Sequence, residues 1–164
     1  MSDDAIVLLR EDHKELRREL REFLRTREVN TAHRGELRDR VVELWKAHLD
    51  ADNDVLYPAV RERVPDLLHE ALTAGARNDV VERLVTELDR LEPYDEQVAP
   101  KMEVLAELTE RHIEHDEDDL FPRTREALGR NELQDLGRQI KSDRKDADKQ
   151  PDDPISSLVR SITG

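Results

Sequence analysis

The stretch HIEHDEDDLFP, residues 112–122, has a counterpart earlier in the chain, HLDADNDVLYP, residues 48–58. Both follow one pattern: His, a branched aliphatic residue, two residues, Asp, one residue, Asp, one residue, Leu, an aromatic ring and Pro. Residues four apart share one face of a helix. The phrase therefore sets an imidazole beside a carboxylate, His48 with Asp52 and His112 with Asp116, in two separate segments. Whether those faces point inward depends on the residues around them.

Four segments carry apolar residues at helical spacing. The first holds Ile6, Leu9, His13, Leu16, Leu20 and Phe23, with Asp3 or Asp4 as a cap. The second holds Leu37, Val41, Leu44, His48, Asp52 and Val55, and is expected to stop before Pro58. The third starts near Pro65, carries Leu67, Leu68, Leu72, Val81, Leu84, Val85, Leu88 and Leu91, is interrupted by Gly75 and ends at Pro93. The fourth carries Met102, Leu105, Leu108, His112 and Asp116 and is expected to end before Pro122. The residue before a proline is biased away from helix, so the Leu–aromatic–Pro endings read as stops. Short connections over residues 30–35 and 93–100 predict antiparallel neighbours. The expected fold is all-α, an up-down-up-down four-helix bundle.

A shorter helix is expected from Asn131, a natural N-cap, through Leu133, Leu136 and Ile140. The bundle with this helix takes residues 1–141. Residues 142–164 read as a charged linker and a tail, since KSDRKDADKQPDDP, residues 141–154, is charged and proline-containing. The tail, ISSLVRSITG, places Ile155, Leu158, Val159 and Ile162 on one face. Two turns are too short to be stable alone. The tail must dock on its own bundle, dock on a partner or stay disordered; docking on its own or a sister bundle, the latter making a homodimer, is the expectation.

Composition supports this reading and removes several function classes. The 164 residues suit one domain, and 41% charged with 36% apolar residues and only 5 Gly suits long helices with solvated outer faces. A net charge of −13 argues against nucleic acid and against anionic membranes as partners. Without cysteine the chain has no disulfide, no thiolate metal site and no cysteine nucleophile. The start MSDDAIVLLRED lacks a basic leader, and no apolar stretch approaches the roughly 20 residues of a membrane span, so the expected location is the cytoplasm.

His13, His48 and His112 each continue an apolar stripe, and so do Asp52 and Asp116. Three imidazoles and two carboxylates thus point into one core. Burying an unpaired carboxylate is costly, and no Lys or Arg lies on the inner stripes near them. A metal cation answers the need, and imidazole with carboxylate suits iron, manganese or zinc. Of the remaining candidates, His115 lies at the edge of the inner face, as a spare ligand or a surface residue. His33 falls in a connection and is expected in solvent. Tyr57 and Phe121 are expected to plug the end of the bundle, and Trp45 to serve core or interface.

These residues resemble those of the hemerythrin-like family, named for its His-His-Glu cation-binding motifs. The likeness spans about residues 5–140. EDHKELRREL, residues 11–20, resembles the first-helix motif with His13. HLDADNDVLYP and HIEHDEDDLFP resemble the second- and fourth-helix motifs, and LGRNELQDLGRQI, residues 128–140, the segment that follows them. The resemblance implies a bundle around a non-haem di-iron centre with histidine terminal ligands and bridging carboxylates. It implies binding of dioxygen, handling of peroxide or nitric oxide under oxidative stress, iron storage, or sensing of iron and oxygen. Whether the chain is an enzyme stays open.

Two departures bear on that expectation. Asp52 and Asp116 stand where relatives usually carry Glu, and Asp is one methylene shorter. The third helix, where the family places a histidine, reads AGARNDVVERL over residues 74–84. There Asn78 shares the stripe of Val81, Val85 and Leu88, whereas Asp79, the better ligand chemically, lies about 100° round the helix. His69 could substitute only with a shift of register. A position filled by an amide or a water leaves the centre open and favours redox reaction over reversible dioxygen carriage. Two other readings remain: a bundle without metal acting as an interaction module, and a mononuclear or zinc site of His48, Asp52, His112 and Asp116.

Overall fold

A computed structural model describes residues 3–26 and 31–149. Helix α1, Ala5–Arg25, starts where Asp4 Oδ1 accepts from the backbone N–H groups of Ile6 (2.9 Å) and Val7 (3.2 Å). That cap satisfies donors that have no partner inside the helix. Helix α2, Thr31–Asp50, already includes the residues from Thr31 to Gly35 that were expected in a connection.

The expected stops at Pro58 and Pro122 do not occur. α2 passes into a π-helical segment, Ala51–Leu56, and then into α3, Tyr57–Arg63. In the same way α5, Val98–His115, passes through a π-helical Asp116–Leu120 into α6, Phe121–Lys149. The Tyr57 N–H bonds to the Asp52 carbonyl and the Phe121 N–H to the Asp116 carbonyl, five residues back in each case. The wider turn lets the chain reset its hydrogen bonding, so each proline falls in the first turn of a new α-helix, where its missing N–H has no consequence. The prolines therefore mark a change of helix type and not an end.

Helix α4, Leu68–Arg90, is entered through a 3-10 turn, Pro65–Leu67, and runs through Gly75 without a break. The second rod of the bundle is α2 with its π-segment and α3, and the fourth is α5 with its π-segment and the start of α6. Helix α1 packs on α2 and α5, and α4 packs on α2 and α5. Each rod neighbours the next in sequence and the fourth closes on the first, giving an all-α up-down-up-down bundle.

Gly129, at φ 76° and ψ 177°, breaks α6. A side chain there would be strained, and glycine allows the turn. Residues 130–149 then fold back along α1, burying Leu133, Leu136, Gly137 and Ile140. Residues 141–149, expected in a linker, continue this helix, because Lys141 pairs with Asp3 and Arg144 with Asp12. Gly137 seats the helix: a Cβ there would overlap the Asp3 carbonyl oxygen and stand 3.0 Å from Ala5 N. The tail with Ile155, Leu158, Val159 and Ile162, and its expected docking, lie outside the described residues.

The core falls into two apolar clusters. One includes Ile6, Leu9, Val55, Leu56, Val60, Leu120, Phe121 and Leu133. The other includes Leu16, Leu20, Phe23, Val41, Trp45, Val81, Leu88, Met102 and Leu105. Between them each rod contributes a buried polar residue: His13, His48, Asn78 and His112. Among the described residues no helix is long and apolar enough to cross a membrane.

Candidate metal centre

The polar layer gathers six of the expected site residues. His13 comes from α1, His48 from α2, Asn78 from α4, His112 from α5, and Asp52 and Asp116 from the two π-segments. All are buried, none more than 7% exposed. One nitrogen each of His13, His48 and His112 and one carboxylate oxygen of Asp116 lie within 4.8 Å of one another.

The layer has two halves. In one, His48 Nε2 lies 3.4 Å from Asp52 Oδ2, which also accepts from Asn78 Nδ2 and from the Tyr57 hydroxyl, each at 3.1 Å. In the other, Asp116 Oδ2 lies 3.0 Å from His112 Nε2 and 3.5 Å from His13 Nε2, without the alignment of a hydrogen bond. The halves meet where His48 Nε2 and His112 Nε2 approach to 3.0 Å. Asp52 Oδ2 stands 3.7 Å from His112 Nε2 and links them further.

The outer nitrogens set the ring orientations. His48 Nδ1 is 2.9 Å from Asp12 Oδ2, and His13 Nδ1 is 2.9 Å from Glu117 Oε1. A carboxylate only accepts, so both Nδ1 atoms carry the hydrogen and both Nε2 atoms face inward. Carboxylate partners of this kind fix metal-binding histidines elsewhere. Asp12 is itself held by Arg144, at 2.6 Å and 3.1 Å. Burial raises the Asp12 carboxyl pKa, but the His48 contact and the Arg144 charge outweigh it and hold it below the ordinary range.

The inward side of the layer has an excess of acceptors. His13 Nε2, Asp52 Oδ1, Asn78 Oδ1 and Asp116 Oδ2 are all buried and make no hydrogen bond. Four buried acceptors without donors are costly unless a cation satisfies them. The residues present therefore fit a metal ion.

The π-segments explain which aromatic rings reach the site. Five residues along an α-helix lead about 140° round the axis, which would turn Tyr57 away from Asp52. The i to i−5 turn brings it back, and the Tyr57 hydroxyl donates to Asp52 Oδ2. Burial, then the charges of Asp52 and Asp116, push the Tyr57 pKa up, so the phenol is neutral. Phe121, placed in the same way after Asp116, stacks on His13 with centroids 5.6 Å apart and planes at 7°. Trp45 sets its ring against His48 (5.6 Å) and His112 (5.1 Å) and donates to Thr109 Oγ1 at 3.2 Å. Tyr57 and Phe121, expected to plug the end of the bundle, instead wall the site, because the helices continue beyond them.

Burial lowers the His112 pKa, but the charge of Asp116, joined by that of Asp52, outweighs it and raises the pKa above 6.5. Burial likewise raises Asp116, and His112 outweighs it, leaving Asp116 well below 3.8. The sign follows for each group. His112 stabilises the metal-free fold below its unfolded pKa and loses that contribution as pH rises through its raised folded value. Asp116 stabilises it above its unfolded pKa and loses that contribution as pH falls through its depressed folded value. A cation competes with the proton for His112 Nε2, so metal retention should move the other way and weaken as pH falls through the raised His112 value. Chelator-resistant metal measured from pH 8 down to about pH 5.5, where an unperturbed imidazole is mostly protonated, should decline steadily; a flat profile would exclude His112 as a ligand.

Other candidates lie elsewhere. Asp79 is exposed, in a surface hollow with Tyr57 and Arg61, because it sits one residue round α4 from the inward Asn78. It takes no part in the cluster, and Asn78 is what α4 delivers. His69 and His115 are exposed and line a cleft of about 170 Å³ with Arg77, whose wall also includes Asp116. His33 lies in α2, half-buried, 3.7 Å from Glu22 and 4.0 Å from Glu36. The sequence reading missed Asp12, Glu117 and Arg144. The two acids adjoin a stripe residue, Asp12 beside His13 and Glu117 beside Asp116. Asp12 serves a histidine on another helix, a pairing that one-helix periodicity cannot reveal.

The family model for the hemerythrin HHE cation-binding domain matches residues 4–124. No curated protein and no solved structure is matched by the chain.

Proposed function

The chain belongs to the hemerythrin HHE cation-binding family, and from that premise we propose that it is a non-haem iron protein whose centre reacts with dioxygen, peroxide or nitric oxide. The observation that carries the reading is the set of four buried acceptors without a donor. A di-iron pair would be held by His13, His112 and Asp116 on one side and His48, Asp52 and Asn78 on the other. Bound iron supplies one-electron redox chemistry. The chain supplies the rest. Asp12 and Glu117 orient His48 and His13, and Trp45 and Phe121 keep water from the rings. The cleft over Asp116 offers small molecules a way in. Its expected place is the cytoplasm, and its partners are small molecules, in keeping with the net charge of −13.

Metal analysis of protein grown with iron, joined to near-ultraviolet charge-transfer absorption, tests this. A metal-free protein with unchanged stability would instead favour the interaction module. One observation supports a second reading. The tightness of the cluster, with four ligand atoms within 4.8 Å, also suits a single cation of iron, manganese or zinc. Stoichiometry of one or two metals per chain separates the two.

Asn78 bears on reactivity. An amide oxygen is a weaker donor than imidazole, so Asn78 Oδ1, left free while Nδ2 donates to Asp52, is a readily displaced ligand. Asn78→His is expected to raise iron retained under chelator and to slow peroxide consumption by filling an open position. Firm retention of two irons with a reversible dioxygen adduct and no peroxide consumption in the wild type would refute the open position.

A further inference from the structure

The family match ends at residue 124, yet the outer layer of the centre is completed from beyond it. The connection starts at Gly137, whose missing side chain lets α6 rest on the backbone of Asp3 and Ala5. Seven residues, about two helical turns, separate Gly137 from Arg144 and likewise Ala5 from Asp12. With α6 seated at Gly137, Arg144 comes opposite Asp12. It grips both carboxylate oxygens, Nη1 to Oδ1 at 3.1 Å and Nη2 to Oδ2 at 2.6 Å. Asp12 Oδ2 also receives His48 Nδ1 at 2.9 Å.

From this chain of contacts we propose that the C-terminal part of α6 positions the centre: Arg144 fixes Asp12, and Asp12 holds His48 with Nδ1 protonated and Nε2 turned inward. Asp12 lies at the rim of the bundle, with its side chain 14% exposed. Without the fork it is free to turn to solvent. His48 then loses the acceptor that selects its tautomer, and the hydrogen moves in part to Nε2, the atom 3.0 Å from His112 Nε2. A cation cannot use a protonated Nε2. Arginine is the residue suited to this task, because its planar fork matches both carboxylate oxygens while an ammonium reaches them as a point charge. Among the described residues Glu117, the acid on His13, pairs with Arg10 at 3.8 Å, with Arg10 54% exposed. Among those residues, positioning from outside the matched domain therefore acts on His48 and not on His13.

The inference builds on the metal reading, and its test separates the two. Wild type, Arg144→Lys and Arg144→Ala are compared, with Arg138→Ala as control, since Arg138 pairs with Asp135 of its own helix and its charge bears on Asp3, whereas Asp12 is held by Arg144. Nitrogen–proton correlation NMR on the metal-free proteins reads the His48 tautomer. Chelator-resistant metal reads the consequence, and circular dichroism and thermal unfolding report the fold. Wild type and Arg138→Ala should show His48 as the Nδ1–H form alone. Arg144→Ala should show a mixture, with metal affinity down about 10-fold, the scale of losing an outer-shell partner, and helix content retained. Arg144→Lys should fall between, and it carries the test should the alanine variant unfold. A tautomer unchanged in both variants overturns the proposal, even where thermal stability drops, because Arg144 is then a clamp on the fold only. A tautomer shift in a chain that takes up no metal supports the positioning of His48 and refutes the metal reading alone.

Discussion

Replacing His48 and His112 together by alanine is expected to abolish metal retention while the bundle stays folded. Their Nε2 atoms stand 3.0 Å apart, and each is also the near neighbour of a carboxylate four residues on, at 3.4 Å and 3.0 Å. Removing both takes the middle out of the cluster, leaving Asp52 without its imidazoles and Asp116 with His13 alone at 3.5 Å, so no arrangement of the remaining residues reproduces it. The loss should exceed the ~10–100-fold that removal of an outer-shell partner costs. Folding should survive because the two apolar clusters on either side of the layer contain neither histidine. Iron per chain at background with helical circular dichroism retained is the expected pair of results. His33→Ala, at a half-buried site on α2 away from the cluster, should change nothing. Wild-type stoichiometry in the double variant would remove the metal reading altogether.

Gly137→Ala is expected to destabilise the fold strongly, against the ordinary helix preference for alanine. Intrinsic helix preference favours alanine over glycine by about 1 kcal/mol. At Gly137 the added carbon would overlap the Asp3 carbonyl oxygen and crowd Ala5 N, both backbone atoms that cannot swing aside. Helix α6 must lift off α1, and overpacking of this kind costs roughly 1–3 kcal/mol. The Lys141–Asp3 and Arg144–Asp12 pairs should go with it. Gly75→Ala is the comparison: nothing lies within 4 Å of a Cβ there, so it should be neutral or stabilising by up to ~1 kcal/mol. Thermal unfolding, with limited proteolysis of residues 130–149, distinguishes the two. Equal stability of the two variants would mean that α6 does not seat on Gly137.

The bundle and most of the buried polar layer were legible because both are written in the helical period. His13, His48 and His112 take the places of apolar residues between Leu9 and Leu16, Leu44 and Val55, and Leu108 and Leu120. A polar residue on an apolar stripe is a strong sign wherever the stripe is long. Asn78 could be ranked ahead of Asp79 on the same ground, and the structure buries the first and exposes the second. The π-segments were not legible, because a change from i−4 to i−5 bonding leaves the composition untouched and shifts only the phase. Pro58 and Pro122 consequently read as stops. Residues 141–149 were misjudged for a different reason. Their hold on α1 is ionic and distant in sequence, through Lys141 and Arg144, and a charged run with little apolar content resembles a linker until its partners are known.

The repeated phrase also has a meaning in terms of symmetry. The chain is two helical hairpins in tandem, α1 with α2 and α4 with α5, and each second helix runs through a π-turn into a further helix. Exchanging the hairpins preserves every neighbour relation of the bundle, since α1 and α4 each touch both α2 and α5. An approximate two-fold axis along the bundle therefore passes between His48 and His112, and the contact between hairpins has the self-complementary character of an interface in a symmetric dimer. Under that operation His48 maps to His112, Asp52 to Asp116, Tyr57 to Phe121, and His13 to Asn78. The hairpins thus supply equal imidazole–carboxylate pairs and unequal neighbours: an imidazole against an amide from the first helices, a phenol against a plain ring after the π-turns. Any inequality between the two sides of the centre originates in those two exchanges and in the carboxylates behind the rings.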